Sequence, residues 1–164
     1  MRVALERLNP ALPPEAITTA VDDLTRDRSA MSLEAANREV YRLLKEGIPV
    51  SVAERDSTPG HTSSGLRPPS PQRGEGKGGQ TTVRVQVIDW ENPANNDFLL
   101  VSQFSVTGAL YTCRPDLVCF VNGLPLVVTE FKKPGVPARA AFDENLTHYK
   151  QQIAALFWYN APLK

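Results

Sequence analysis

Residues 115–133, PDLVCFVNGLPLVVTEFKK, hold two apolar runs joined by Asn122-Gly123. Asn-Gly between such runs is the strongest short-range signal for a β-hairpin, because both residues accept the positive φ of a tight turn. The runs are almost continuously apolar, which predicts central strands covered on both faces. Charge appears only at the open end of the hairpin. Asp116 opens the first arm, and Glu130 and Lys132 close the second. Two apart on a strand, Glu130 and Lys132 project from the same face.

Reading outward, TTVRVQVIDW at 81–90 sets Val83, Val85 and Val87 against Thr82, Arg84 and Gln86. That is the period of a half-buried strand. DFLLVSQFSV at 97–106 reads as one further strand ending at Thr107-Gly108, and IPVSVA at 48–53 as a short one. Pro13-Pro14 leads into a helix with Glu15 near its positive end. A second helix runs from Ser32 as N-cap to Glu46 and stops at Gly47, with Leu33, Val40, Tyr41, Leu43 and Leu44 on one side. Residues 138–158 read as a long helix on the spacing of Phe142, Leu146, Tyr149, Ile153 and Leu156. The expected class is α/β: a mostly antiparallel or mixed central sheet of four to five strands, flanked by helices.

Composition interrupts this order once. Residues 54–80 contain four prolines and six glycines and one large aliphatic residue, Leu66. Such a stretch buries too little apolar surface to offset its ordering entropy, so it is expected to be a disordered insertion. The chain is then a single domain. Residues 1–53 supply helices and a first strand, 54–80 the insertion, and 81–164 the core. The fragment GEGKG at 74–78 lacks the spacing of a phosphate-binding loop and a strand before it.

The 164 residues carry 18 basic and 18 acidic side chains, with 41% hydrophobic and 22% charged residues, as in an ordinary globular domain. No apolar run approaches the roughly 18 residues of a membrane span, and residues 1–15 lack a signal-peptide core. Cys113 and Cys119 have neither disulfide-framework nor zinc-site spacing. These features lead to an expected cytoplasmic location and no membrane partner. Neutral charge predicts weak DNA affinity for this piece alone, since phosphate contacts supply most of such binding.

Two carboxylates beside a lysine suit phosphodiester hydrolysis. Carboxylate oxygens bind a hard divalent cation, and a lysine can orient water or stabilise the transition state. Geometry imposes a condition. Directly opposed residues of an antiparallel pair have a constant number sum, and residues on one face have sums of one parity. A two-residue Asn122-Gly123 turn opposes Val121 to Leu124, an odd sum, whereas Asp116 and Glu130 give an even one. A shared site therefore requires an odd loop or a β-bulge.

The stretch NDFLLVSQFSVTGALYTCRPDLVCFVNGLPLVVTEFKKP, followed by HYKQQIAALFWYN, resembles the N-terminal nuclease domain of the R (restriction and motor) subunit of type I restriction enzymes, within the PD-(D/E)xK nuclease superfamily. LNPALPPEAI and NREVYRLLKEGIPV resemble it too, so the resemblance spans nearly everything except 54–80. It implies a restriction-endonuclease-like core and Mg2+ as cofactor. Asp116 and Glu130 would be metal ligands, the Phe131 carbonyl a further one, and Lys132 the catalytic lysine. Apart from the resemblance, Lys133 beside Lys132 is a candidate for DNA backbone contact or simply an exposed side chain. The family's Q-x-x-x-Y motif falls on Asn145 and Tyr149, where asparagine replaces glutamine and is shorter by one methylene. That substitution is expected to weaken the contact to lysine or DNA. Expected partners are double-stranded DNA and the modification and specificity subunits of a restriction complex. ATP is expected only for the motor, which these residues do not contain. The chain is expected to be a piece of a longer protein, a split gene product or a truncated remnant. The alternative function is a nuclease-inactive remnant or an assembly module. Glu34, Glu39, His61 and His148 are weaker candidates, with surface roles favoured.

Overall fold

The computed structural model describes residues 1–53, 80–108 and 110–160. The insertion, His61 and the GEGKG fragment lie outside the described residues, apart from Gln80, which opens a strand.

Three helices come first. α1 (Arg2–Leu8) was not apparent in the sequence; it buries only Ala4 and Leu5, too few positions to show a period. α2 (Pro14–Thr25) begins with proline in its first turn, where a missing N–H costs nothing, and buries Ala16, Ile17, Ala20 and Leu24. α3 (Leu33–Glu46) starts as expected, with the Ser32 hydroxyl accepting from the Ala35 N–H. It ends at Gly47, whose φ is +77°. Arg28 follows α2 and is fully buried. Its guanidinium donates to the carbonyls of Asp23, Leu24 and Arg26 and pairs with Glu39 at 3.1 Å. The C-terminal end of α2 is thereby satisfied by a cation.

Every strand pair is antiparallel. β1 (Ile48–Ala53) pairs with β2 (Gln80–Val85). β3 (Phe98–Ser102), β4 (Val106–Thr107), β5 (Thr112–Cys113), β6 (Leu117–Val121) and β7 (Leu124–Thr129) follow. A three-stranded sheet has the order β3-β6-β7, and β4 pairs with β5. The α/β class is as expected, but among the described residues the strands divide into three short sheets, where one central sheet of four to five strands was expected. The run 97–106 breaks at Gln103, whose φ of +52° cannot continue a strand, and β4 turns away to meet β5. β6 is central in its sheet, while β7 lies at an edge. β3 forms the other edge and leaves Phe98, Leu99 and Leu100 exposed.

Two clusters make the core. α1, α2 and α3 pack Leu5, Ile17, Leu24 and Val40 against Ile48, Val85 and Leu124. The second cluster holds Cys113, Val118, Ile153, Leu156 and Phe157, with Phe120, Val128, Leu146 and Tyr149 against it. The long C-terminal helix is interrupted. A π-helical turn (Ala141–Leu146) runs into α4 (Thr147–Gln152), and after Ile153 a 3-10 turn covers Ala154–Phe157. The break at Ile153 turns the chain so that Leu156 and Phe157 bury, and the Asn37 amide caps the carbonyls of Phe157 and Trp158.

The hairpin turn is held from beneath. Asn122 has φ +52° and no exposed surface. Its amide donates to the Val87 carbonyl at 2.8 Å and to Asn96 Oδ1 at 2.9 Å, and its Oδ1 accepts from the Asp97 N–H at 2.8 Å. Asn122→Ala removes these bonds and leaves buried partners unsatisfied, at about 1 kcal/mol or more each. Chemical denaturation should therefore show a loss of about 3 kcal/mol, whereas a loss under about 1 kcal/mol would contradict this role.

Candidate active site

The Asn122-Gly123 turn is a two-residue turn with Val121 opposite Leu124, so by itself it would separate Asp116 and Glu130 onto opposite faces. The register then shifts. Phe120 opposes Pro125, but Cys119 opposes Val127, which leaves Leu126 as an extra residue in β7. Beyond this bulge Leu117 faces Thr129, so the next residues, Asp116 and Glu130, come opposite each other. The bulge supplies the parity that the sequence alone demanded.

Asp116 and Glu130 extend the face that carries Val118 and Val128, the one packed against the C-terminal helix. The Asp116 N–H donates to Glu130 Oε2 at 3.2 Å, and the Phe131 N–H donates to Asp116 Oδ2 at 2.8 Å. From the helix, the Asn145 amide donates to Glu130 Oε1 at 2.8 Å, and the Tyr149 hydroxyl donates to the same oxygen at 3.2 Å. Asn145 Oδ1 accepts from Lys132 Nζ at 2.7 Å, so one amide links the lysine to the glutamate. Lys132 also pairs with Glu144 Oε2 at 3.2 Å. Neighbouring residues 144 and 145 both reach Nζ because they lie on the π-helical turn. With i→i+5 bonding, successive residues are separated by a smaller rotation than in an α-helix.

The donor set suits a hard cation. Each carboxylate oxygen offers two acceptor positions. Asp116 uses one on Oδ2 for Phe131 and one on Oδ1 for the Gln103 amide at 2.9 Å. Glu130 fills Oε1 twice and Oε2 once. Among the described residues, one position therefore stays open on each Asp116 oxygen and one on Glu130 Oε2. Among the described residues no three His, Cys, Asp or Glu side chains gather as a metal site. A cation here would rest on two carboxylates, its remaining positions left to other oxygen ligands such as water.

The remaining candidates lie apart from this cluster or at its rim. Lys133 is exposed and makes no side-chain hydrogen bond or ion pair among the described residues. Glu39 is held by Arg26 and Arg28, which keep its carboxyl below the usual range, and this commits it to the α2–α3 junction. Glu34 is exposed on the first turn of α3. His148 is exposed on α4, its ring 6.3 Å from that of Tyr111. Gln103 and Glu144 were not read from the sequence. An unbroken strand over 97–106 gives Gln103 no special place, and the helical period of 138–158 does not single out Glu144.

The family model for the type I restriction enzyme R protein N terminus matches residues 72–163. A type I restriction enzyme endonuclease subunit of Haemophilus influenzae, HindI, is 34% identical over 99% of this chain and 14% of its own length. The EcoprrI endonuclease subunit of Escherichia coli is 38% identical over 42% of this chain and 22% of its own. The SsaAORF53P endonuclease subunit of Staphylococcus saprophyticus is 32% identical over 49% of this chain and 8% of its own. The chain thus spans 14% of the HindI subunit's length. No solved structure matches it.

Burial raises the Tyr149 phenol above its ordinary pKa of 10.0, and the nearby Glu130 charge adds to the effect. Burial likewise raises Tyr159. A raised folded pKa means stability that is complete below the unfolded value and is lost as pH climbs through the folded one. Tyrosinate absorbance should accordingly show two late-ionising tyrosines, with melting temperature falling as pH passes roughly 10. Ionisation of Tyr149 and Tyr159 at the ordinary tyrosine value would contradict the arrangement.

Proposed function

The chain belongs to the family of type I restriction enzyme R protein N termini, and from that membership we propose that it is a magnesium-dependent DNA endonuclease module acting within a restriction–modification complex. The observation that carries this reading is the convergence of Asp116 and Glu130 beside Lys132, made possible by the bulge at Leu126. Double-stranded DNA is the substrate, and the modification and specificity subunits are the partners. Those partners supply the grip and sequence choice that a chain of zero net charge lacks.

In this reading Asp116 and Glu130 hold a magnesium ion, with the Phe131 carbonyl as a further oxygen ligand. Such an ion, when bound, lowers the pKa of water and offsets charge developing on the phosphate. Lys132 points its ammonium at the attacked phosphate or orients the attacking water. Asn145 keeps that ammonium at a fixed distance from Glu130, since its carbonyl takes Nζ and its amide takes Oε1. Tyr149 donates from a neutral phenol and steadies the same carboxylate oxygen. The asparagine, shorter than the family's glutamine, reaches both partners from the π-helical turn. Lys133, exposed next to Lys132, is available to a DNA phosphate.

Among the described residues no helix is long and apolar enough to cross a membrane. An assembly module without nuclease activity is the second reading, favoured by the exposed Phe98, Leu99 and Leu100 on edge strand β3.

Magnesium should raise the melting temperature of the chain, and Asp116→Ala should abolish that shift. In a plasmid-nicking assay Lys132→Ala should lose about a hundredfold or more in rate, the scale of removing one transition-state charge contact. Equal nicking by both chains would contradict catalysis by Lys132. An ion-binding chain that nicks no DNA would favour the assembly reading.

A further inference from the structure

Asp116 is gripped from the side opposite Glu130 by a residue outside the family motif discussed above. Gln103 follows β3, and its backbone N–H donates to the Asp116 carbonyl at 3.0 Å, continuing the β3–β6 ladder by one residue. The register that sets Ser102 against Leu117 brings Gln103 directly opposite Asp116. Glu130 stands opposite Asp116 on the other side, so Gln103, Asp116 and Glu130 form a row across three strands. The Gln103 side chain reaches into that row, Nε2 donating to Asp116 Oδ1 at 2.9 Å.

Gln103 achieves this with φ +52°, a left-handed conformation uncommon for a residue other than glycine, asparagine or aspartate. The chain holds it while β3 ends and before β4 departs. Side chains kept in such sparsely populated backbone regions cluster at functional sites. Nothing apolar is gained here, since Gln103 is exposed. What it does gain is the orientation of one carboxylate.

We propose that Gln103 is the positioning residue for Asp116, fixing the rotation of its carboxylate so that the open acceptor positions of Asp116 and Glu130 meet on one divalent cation. The inference rests on the metal-site reading above. Without the Nε2 donor, Asp116 keeps only the Phe131 N–H on Oδ2 and turns about that contact. Its Oδ1 then points where solvent dictates. Partners of metal-ligating carboxylates typically contribute tenfold to a hundredfold in ion affinity.

The test measures magnesium affinity of the whole chain by calorimetry, with the ion-free melting temperature recorded alongside. Gln103→Gly removes the side chain and relieves the left-handed backbone, so the fold is retained. Gln103→Met keeps length but loses the donor. Both should weaken magnesium binding by about tenfold or more, while ion-free melting temperatures stay within a few degrees of the parent chain. A role confined to folding would instead lower the ion-free melting temperature and leave affinity untouched. Parent-like affinity in both variants, with affinity abolished in Asp116→Ala, would overturn the role of Gln103 and leave the metal site standing. Parent-like affinity in Asp116→Ala as well would overturn both.

Discussion

Leu126 is the extra residue that β7 carries against β6, and the arrangement of the candidate site depends on it. Strand geometry is strict about parity: one residue of slip sends every later side chain to the opposite face. The buried Asn122 turn fixes an odd register at the tip of the hairpin. The bulge restores an even register before the open end is reached. Asp116 and Glu130 then emerge on the face already covered by the C-terminal helix, with its own polar groups waiting there. A hairpin without the bulge would place one carboxylate on each side of the sheet.

The helix completes the site by a second irregularity. The π-helical turn at Ala141–Leu146 presents Glu144 and Asn145 together to Lys132, and α4 then carries Tyr149 to Glu130. Asn145 is the joint: a neutral amide that donates to a carboxylate and accepts from an ammonium, satisfying both without adding charge. The shorter asparagine therefore does not separate lysine from glutamate. Burial around Tyr149 favours its neutral form, which is the form that can donate.

Much of this was legible in the sequence, and the exceptions share a physical origin. The Asn-Gly turn, the Ser32 cap, the Gly47 stop and the alternation of Val83, Val85 and Val87 are local signals, and each has its place in the fold. Parity arithmetic required an odd loop or a bulge but could not locate it, because Leu126 is as apolar as its neighbours. The departure of β4 and β5 from the three-stranded sheet turns on the backbone at Gln103, a residue type that does not announce a left-handed conformation. The break at Ile153 depends on burial of Leu156 and Phe157 against distant residues, which helical spacing cannot register. Asp116, Glu130 and Lys132 stood out as charges at the ends of apolar strands. Gln103 and Glu144 are polar residues in unremarkable surroundings, and only the register and the π-helical turn give them meaning.

In the proposed function, two carboxylates from adjacent strands hold one ion. Anomalous scattering from crystals of the chain soaked in manganese tests it directly. The expected result is a single peak within about 2.5 Å of oxygens from both Asp116 and Glu130, the ligand range of such hard cations. A peak bound by one carboxylate alone, or none at this end of the hairpin, would contradict it.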